Sequence, residues 1–168
     1  MGALAVEQPP HDTTSDAVDA LLEYFVVGRW LLTRVDGIIG QAARYNDIDD
    51  VMSMASAGVS LDSKDSQGRT ALHMASANGH LSIVDYLIHN GAEVNALNVE
   101  KNTPLHWACL NGHIEVLKRL ILAGANVSLL NSHERTPVDE AVSRGKMDVI
   151  DAINEAEAQL ELAGTQVS

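Results

Sequence analysis

Four histidines recur in pairs along this 168-residue chain, and their side chains could do chemistry. His73 and His106 are separated by the same interval as His80 and His113. Imidazole nitrogens bind Zn²⁺ and transfer protons near neutral pH, so a metal or acid–base site is the first hypothesis. Copies of His80 on successive helices would lie roughly 8–10 Å apart, whereas zinc needs each nitrogen at about 2 Å. We therefore predict no metal site and no cofactor.

The other reactive groups have ordinary explanations. The single cysteine, Cys109, lies in an apolar helical segment, where cysteine usually behaves as a small hydrophobic side chain. The adjacent carboxylates at positions 49/50 and 139/140 are interpreted as solvated or helix-capping charges. No phosphate-binding loop, nucleophile elbow or HExxH motif occurs in the sequence. We predict that the protein is not an enzyme.

The histidines belong to a longer repeated sequence that must position them. Residues 70–80 read TALHMASANGH and residues 103–113 read TPLHWACLNGH. A fixed period of about 33 residues indicates stacked supersecondary units. Threonine is a preferred helix N-cap and proline suits the first helical position, while glycine commonly follows the last helical residue. Each unit is therefore predicted to be a helix–turn–helix.

These residues resemble the ankyrin repeat, whose Thr-Pro-Leu-His-x-Ala signature appears as Thr103-Pro-Leu-His-Trp-Ala108. The resemblance implies an all-α solenoid of about four units with capping terminal repeats and short turns or β-hairpin tips. It places the units at about residues 32–64, 65–97, 98–130 and 131–157. It also implies that His73 and His106 brace loops by hydrogen bonds. Trp107 is expected in the core or at the edge of a groove.

The segments around the repeats are predicted separately. Residues 1–17 are predicted to be a disordered tail, and residues 18–41 an irregular or inserted segment with the start of the N-terminal cap. The repeat domain is assigned to residues 42–157 and a C-terminal tail to 158–168. Residues 152–163 have helical composition, and fraying is expected from Gly164 onward. Within the second segment, residues 24–41 have two interpretations. They are an insertion, such as a retained intron or isoform segment, or an ordinary turn and strand.

The charge limits the partners. The chain has 23 acidic and 11 basic residues and a formal net charge of −12. Direct nucleic-acid binding is disfavoured, because phosphate contacts need a Lys/Arg surface, whereas a basic protein partner is permitted. A single cysteine fits a reducing compartment. With no secretory or membrane-spanning pattern, we expect a cytoplasmic protein with access to the nucleus, no membrane partner and a monomeric state.

The resemblance implies protein–protein interaction. Among ankyrin proteins, this small acidic array is similar to the yeast ankyrin-repeat chaperone of a small-subunit ribosomal protein. The expected function is then to mask a basic client such as a ribosomal protein. The alternative is a generic adaptor or regulatory scaffold that bridges signalling or transcription proteins.

The family also implies a binding surface on the turn tips and the ends of the first helices. Tyr45 and Leu110 are the expected apolar anchors, because binding energy concentrates in a few buried contacts. The arginines on this surface do not suit a purely acidic groove, so the negative charge is expected on outer helices and tails. The predicted partner-binding residues are Arg44, Tyr45, Ser66, Gln67, Arg69, Ala77, Asn78, Val99, Glu100, Asn102, Leu110, Asn111, Ser132, His133, Arg135, Ser143 and Arg144.

Overall fold

The computed structural model describes residues 37–165, and all regular secondary structure within that range is helical. No strand occurs among these residues, so the predicted all-α repeat fold is confirmed. The eight helices of this range are α1 (residues 37–44), α2 (Ile48–Ser56), α3 (Ala71–Asn78), α4 (Leu81–His89), α5 (Pro104–Asn111), α6 (Ile114–Leu122), α7 (Pro137–Ser143) and α8 (Asp148–Thr165).

The helices stack in two layers. The first helices of successive repeats pack together, α3 on α5 and α5 on α7. The second helices do the same, α4 on α6 and α6 on α8. Within each of these repeats the two helices also pack against each other, α3 on α4, α5 on α6 and α7 on α8. Small and branched apolar side chains fill the space between the layers, which allows close helix approach. The fully buried core residues of α3 to α6 include Ala75, Ile83, Val84, Leu87, Leu105, Ala108, Leu117 and Leu120.

Local signals in each repeat set the helix ends. The hydroxyl of Thr103 accepts a hydrogen bond from the backbone N–H of His106 at 3.3 Å, which satisfies an amide with no partner inside the helix. Thr70 and Thr136 cap α3 and α7 in the same way. Gly79 follows α3 with φ 75°, a left-handed conformation that is unstrained only without a Cβ.

Two helices extend beyond the predicted boundaries. The sequence assigns residues 18–41 to an irregular or inserted segment with the start of the N-terminal cap. The last of these residues, 37–41, are helical in α1, and Ile39 is fully buried in the core. Helix α8 runs past the predicted repeat boundary at residue 157, through the stretch of helical composition at 152–163, and continues to Thr165, beyond Gly164 where the sequence predicts fraying. The predictions for residues 1–36, which include the disordered tail and most of the inserted segment, lie outside the described residues. So does the predicted tail at residues 166–168.

Candidate functional site: a groove across the first helices

His73 and His106 connect neighbouring repeats through their imidazole rings. The Nε2 of His73 lies 2.8 Å from the carbonyl oxygen of Asn102, and that of His106 lies 3.1 Å from the carbonyl oxygen of Arg135. The Nδ1 atoms accept backbone N–H bonds from the preceding threonine N-caps, at 3.2 and 3.1 Å. A neutral imidazole with its proton on Nε2 satisfies both contacts. These residues are structural bridges.

Burial keeps the first of these rings neutral. Desolvation lowers the pKa of His73 to about 4, although its hydrogen bond to the Asn102 carbonyl acts in the opposite direction. The pKa of His106 is lowered for the same reason, against its bond to the Arg135 carbonyl. A buried ring whose two nitrogens are both engaged is not available for proton transfer.

The last repeat has an aspartate at the equivalent position. Asp139 accepts hydrogen bonds from the backbone N–H and the hydroxyl of Thr136, at 2.9 and 2.8 Å. Within residues 37–165 no further repeat follows, so no downstream carbonyl is offered to a histidine here. A carboxylate completes the capping box without needing that carbonyl.

The second pair of histidines also joins repeats. His80 Nε2 lies 2.9 Å from the Arg44 carbonyl oxygen, and His113 Nε2 lies 3.0 Å from that of Ala77. Each ring reaches back to the end of the first helix in the preceding repeat. Over the range that the structure describes, no group of three or more His, Cys, Asp or Glu side chains could hold a metal ion.

Cys109 lies in the core of α5 and is fully buried. Desolvation raises the pKa of its thiol to about 12. Since the thiolate is the reactive form of cysteine, this side chain is an inert core residue at neutral pH.

The turn tips are held together by backbone and side-chain hydrogen bonds. The Oδ1 atom of Asn98 accepts the backbone N–H groups of Glu100 and Asn102, at 3.0 and 2.9 Å. Asp65 and Asn131 do the same in the adjacent tips. Neighbouring tips are also linked, because Val99 N–H donates to the Gln67 carbonyl at 3.0 Å and Ser132 N–H to that of Glu100 at 2.8 Å. The tips therefore form one pre-organised edge.

A groove of about 280 Å³ opens between the third and fourth repeats. Its apolar floor is Trp107 and Leu110, which are both half-buried. The Trp107 ring meets His73 edge-on, with the ring centroids 5.5 Å apart, so its orientation is set by the histidine bridge. The lining residues are Glu100, Asn102, His106, Trp107, Leu110, His133, Arg135, Glu140, Ser143 and Arg144.

Seven of the predicted partner-binding residues line this groove, namely Glu100, Asn102, Leu110, His133, Arg135, Ser143 and Arg144. Three lining residues are absent from the prediction. The sequence assigns Trp107 and His106 to packing and bracing, and Glu140 to a solvated or capping charge. The signal for Trp107 is its size, since Met74 stands at the equivalent position one repeat earlier.

Some predicted contact residues have structural roles in the array. Asn102 is buried, and its Oδ1 accepts from Asn131 Nδ2 at 2.9 Å. Arg69 is half-buried and pairs with Asp65 at 2.7 Å. Ala77 is half-buried, and its carbonyl is occupied by the His113 ring.

The remaining predicted contacts lie outside the groove. Tyr45 is the most exposed large hydrophobic side chain of this set, at 74%, and its ring centroid lies 5.7 Å from the Arg44 guanidinium carbon. Val99 is 62% exposed at its turn tip. Gln67 and Ser66 are exposed on the tip before it. Asn78, Asn111 and Ser132 are also exposed.

Acidic residues are concentrated on α8 and at the start of α2. Helix α8 carries five carboxylates, at positions 148, 151, 155, 157 and 161, and no Lys or Arg. Helix α2 begins with Asp47 as its N-cap and with Asp49 and Asp50 in its first turn. The groove contains Arg135 and Arg144, so its charge is mixed.

The sequence matches the model of ankyrin repeats, described as three copies, at residues 15–98, 39–131 and 91–162. The chain belongs to the ankyrin-repeat family. Ankyrin repeats as a family form a non-catalytic interaction module, and their presence makes this chain a protein–protein interaction module. Across residues 37–165, no helix of this ankyrin protein is long and apolar enough to cross a membrane.

Three similar proteins each match part of this chain. A protein of Rickettsia bellii named as an ankyrin repeat protein is 39% identical over 71 residues, which is 38% of this chain and 39% of that one. "Acyl-CoA-binding domain-containing protein 4" of rice is 45% identical over 51 residues, 30% of this chain and 15% of the relative. The Arabidopsis thaliana "Acyl-CoA-binding domain-containing protein 2" is 33% identical over 60 residues, 36% and 17% respectively. The chain thus spans well under half the length of these relatives.

Proposed function

We propose that this ankyrin protein masks a segment of a basic client, such as a newly made ribosomal protein, until the client assembles. The observation that carries the proposal is the net charge of −12 of the full chain, together with a helix α8 that has five carboxylates and no Lys or Arg. A field of this sign speeds the encounter with a basic partner and makes binding sensitive to salt.

The hydrogen-bonded bridges between repeats support a masking role. His73 and His106 connect successive repeats on one side, and His80 and His113 connect them on the other. A surface already held in one shape loses little conformational entropy when a partner binds. More of the interaction energy then contributes to affinity for the client.

The groove supplies an apolar contact for such a segment. Trp107 and Leu110 form its floor, and aromatic and aliphatic side chains in a pocket are typical binding hot spots. Replacing Leu110 with Ala removes an anchor, whereas replacing Leu130, an exposed residue outside the groove lining, provides a matched control.

A second candidate function is an adaptor that bridges signalling or transcription proteins. The mixed charge of the groove favours it, because Arg135 and Arg144 lie beside the apolar floor. A segment with acidic or neutral residues would fit this groove as well as a basic one, and the outer helices could engage another protein. We also propose a cytoplasmic location with access to the nucleus, which suits either function.

The test is capture of partners from cytosolic extract with the tagged full chain, at low and at moderate salt, read by mass spectrometry. We expect a dominant basic protein that is lost as salt rises and is weakened by Leu110→Ala but not by Leu130→Ala. A dominant partner that is not basic and tolerates salt would contradict the masking function and support the adaptor.

A further inference from the structure

The outer surface of the last repeat, which we call the end face, consists of Val138, Val142, Met147 and Ile150. Val142 is 49% exposed. The equivalent residues of the two preceding repeats, Cys109 and Ser76, are both 0% exposed. Inner repeats bury this position, and no repeat follows the last one among residues 37–165.

The other end-face residues are also more exposed than the equivalent residues of the inner repeats. Ile150 is half-buried, while the equivalent residues Leu117 and Val84 are 0% exposed. Met147, directly before the second helix of the last repeat, is 60% exposed, whereas Leu81 and Ile114 at its position are only partly exposed. Val138 is also half-buried, although its counterparts Leu105 and Leu72 are covered.

Capping does not account for these apolar residues. A terminal repeat needs a polar outer surface for solubility. Asn154 meets that need at the position of Ile121, and Glu140 does so at the position of Trp107. The end face has apolar side chains at positions that the inner repeats bury against the next repeat. An exposed apolar patch of this kind is typical of a binding surface.

The charge beside the end face indicates what covers it. Helix α8, which contributes Ile150, carries Asp148, Asp151, Glu157 and two further glutamates but no Lys or Arg. One of those, Glu155, is engaged by Lys118 at 2.6 Å. Asp148 and Asp151 are exposed. Two cations near Met147 are also exposed, but Arg144 lines the groove and the Lys146 side chain packs beside Gly112 of the preceding repeat. A partner with apolar residues flanked by Lys or Arg would match this arrangement.

We propose that the end face docks a basic amphipathic helix of the client, in the place that the next repeat would occupy in a longer array. The inference rests on the proposed masking function and locates the client contact. Apolar residues on one face of the helix contact Val142 and Met147, and its basic residues face Asp148 and Asp151 at the start of α8. The end face thereby takes the basic helix, and the groove floor of Trp107 and Leu110 is a separate apolar contact for the same client.

The probe is a fluorescent peptide of Leu and Lys, about five turns long, with the leucines at helical spacing. Its binding to the full chain is followed by fluorescence anisotropy at low and moderate salt. One control peptide has the same composition with the leucines scrambled, and another has Glu in place of Lys. We expect binding of the amphipathic basic peptide only, weakened as salt rises.

Two variants locate the contact. Val142→Asp and Met147→Asp are each expected to weaken peptide binding by about tenfold, because they place a charge in the apolar contact. Leu130→Asp adds the same charge to a residue 53% exposed outside the end face and should leave affinity unchanged. Thermal unfolding confirms that each variant is folded.

Three results would overturn the proposal. Peptide binding that is lost in Leu110→Ala and kept in Val142→Asp would place the basic segment in the groove, and the masking function would stand. Absence of peptide binding would remove the end face as a docking site, while salt-sensitive capture of a basic client would still support masking. Self-association of the chain that Val142→Asp abolishes would show that a second copy covers the end face.

Discussion

The buried imidazole of His73 donates a hydrogen bond to the backbone carbonyl of Asn102, 2.8 Å away, and thereby connects the second repeat to the third. Because the ring nitrogen on the other side accepts from the Thr70 amide, the bridge requires a neutral ring. The stability of the array therefore depends on pH.

We predict that the protein loses stability as pH falls from about 6.5 to about 4. The pKa of His73 is about 4 in the folded protein and near its ordinary value of 6.5 in the unfolded chain, so the unfolded chain binds more protons between them. The contribution is complete above about pH 6.5, and a shift of this size corresponds to at most about 3 kcal/mol. Urea unfolding at about pH 7.5 and about pH 5 measures it. An equal free energy of unfolding at the two pH values would contradict the prediction.

Ser76→Ala is expected to stabilise the protein by about 1 kcal/mol. The Ser76 hydroxyl is buried in α3 and has no hydrogen-bond partner among the residues described. Ala43 and Cys109 occupy the equivalent positions of the first and third repeats. Thermal or urea unfolding measures the change, and Ser82→Ala, at an exposed position of α4, is the matched control. A loss of stability in Ser76→Ala would mean that the hydroxyl makes a favourable contact.

Gly79→Ala is expected to destabilise the protein more than Gly145→Ala. Both glycines have a left-handed backbone, with φ 75° and 69°, so both changes introduce strain of about 1–2 kcal/mol. At Gly79 the added Cβ would also lie 2.5 Å from Nδ1 of His113, whereas at Gly145 nothing lies within 4 Å. The difference between the two losses in free energy of unfolding measures the cost of the contact with His113. Equal losses would show that His113 moves aside at no cost.

Asn102→Ala is expected to lower the free energy of unfolding by about 2 kcal/mol, because it leaves buried hydrogen-bonding groups without partners. Its Oδ1 accepts from Asn131, and its Nδ2 donates to Glu100. Gln67→Ala, at an exposed residue of a neighbouring tip, should change stability by less than about 0.5 kcal/mol. Unfolding by urea provides both values. Unchanged stability in Asn102→Ala, combined with weaker client binding, would instead make Asn102 a contact residue.

Much of the fold could be predicted from neighbouring residues alone. The Thr103 cap, Pro104 at the first helical position and Gly112 after the helix are all local signals, and each is found in that role. They are readable because helix ends are satisfied within a few residues of sequence. The regular period of the repeats then predicts stacking, since a single helix pair cannot bury its own apolar face.

The composition of the candidate site could not be predicted as fully, because it depends on contacts between repeats. The sequence does not distinguish Asn102, which is buried and accepts a hydrogen bond from Asn131, from the exposed Asn111. Both are polar residues at the edge of a helix pair, and only the packing of the next repeat separates them. The same holds for residues 37–41, which the sequence assigns to an irregular or inserted segment with the start of the N-terminal cap and which are helical where Ile39 enters the core.

The end face shows most clearly which features the local sequence determines and which depend on the stacked repeats. Val142, Cys109 and Ser76 occupy the same position of three repeats, and their local sequences predict the same helix for each. Short-range capping and backbone hydrogen bonds determine that helix, so the sequence pattern is sufficient to find it. Whether the side chain is buried depends on the presence of a neighbouring repeat, which is distant along the chain. Hydrophobic burial is a property of the assembled stack, and only the stack leaves Val142 uncovered.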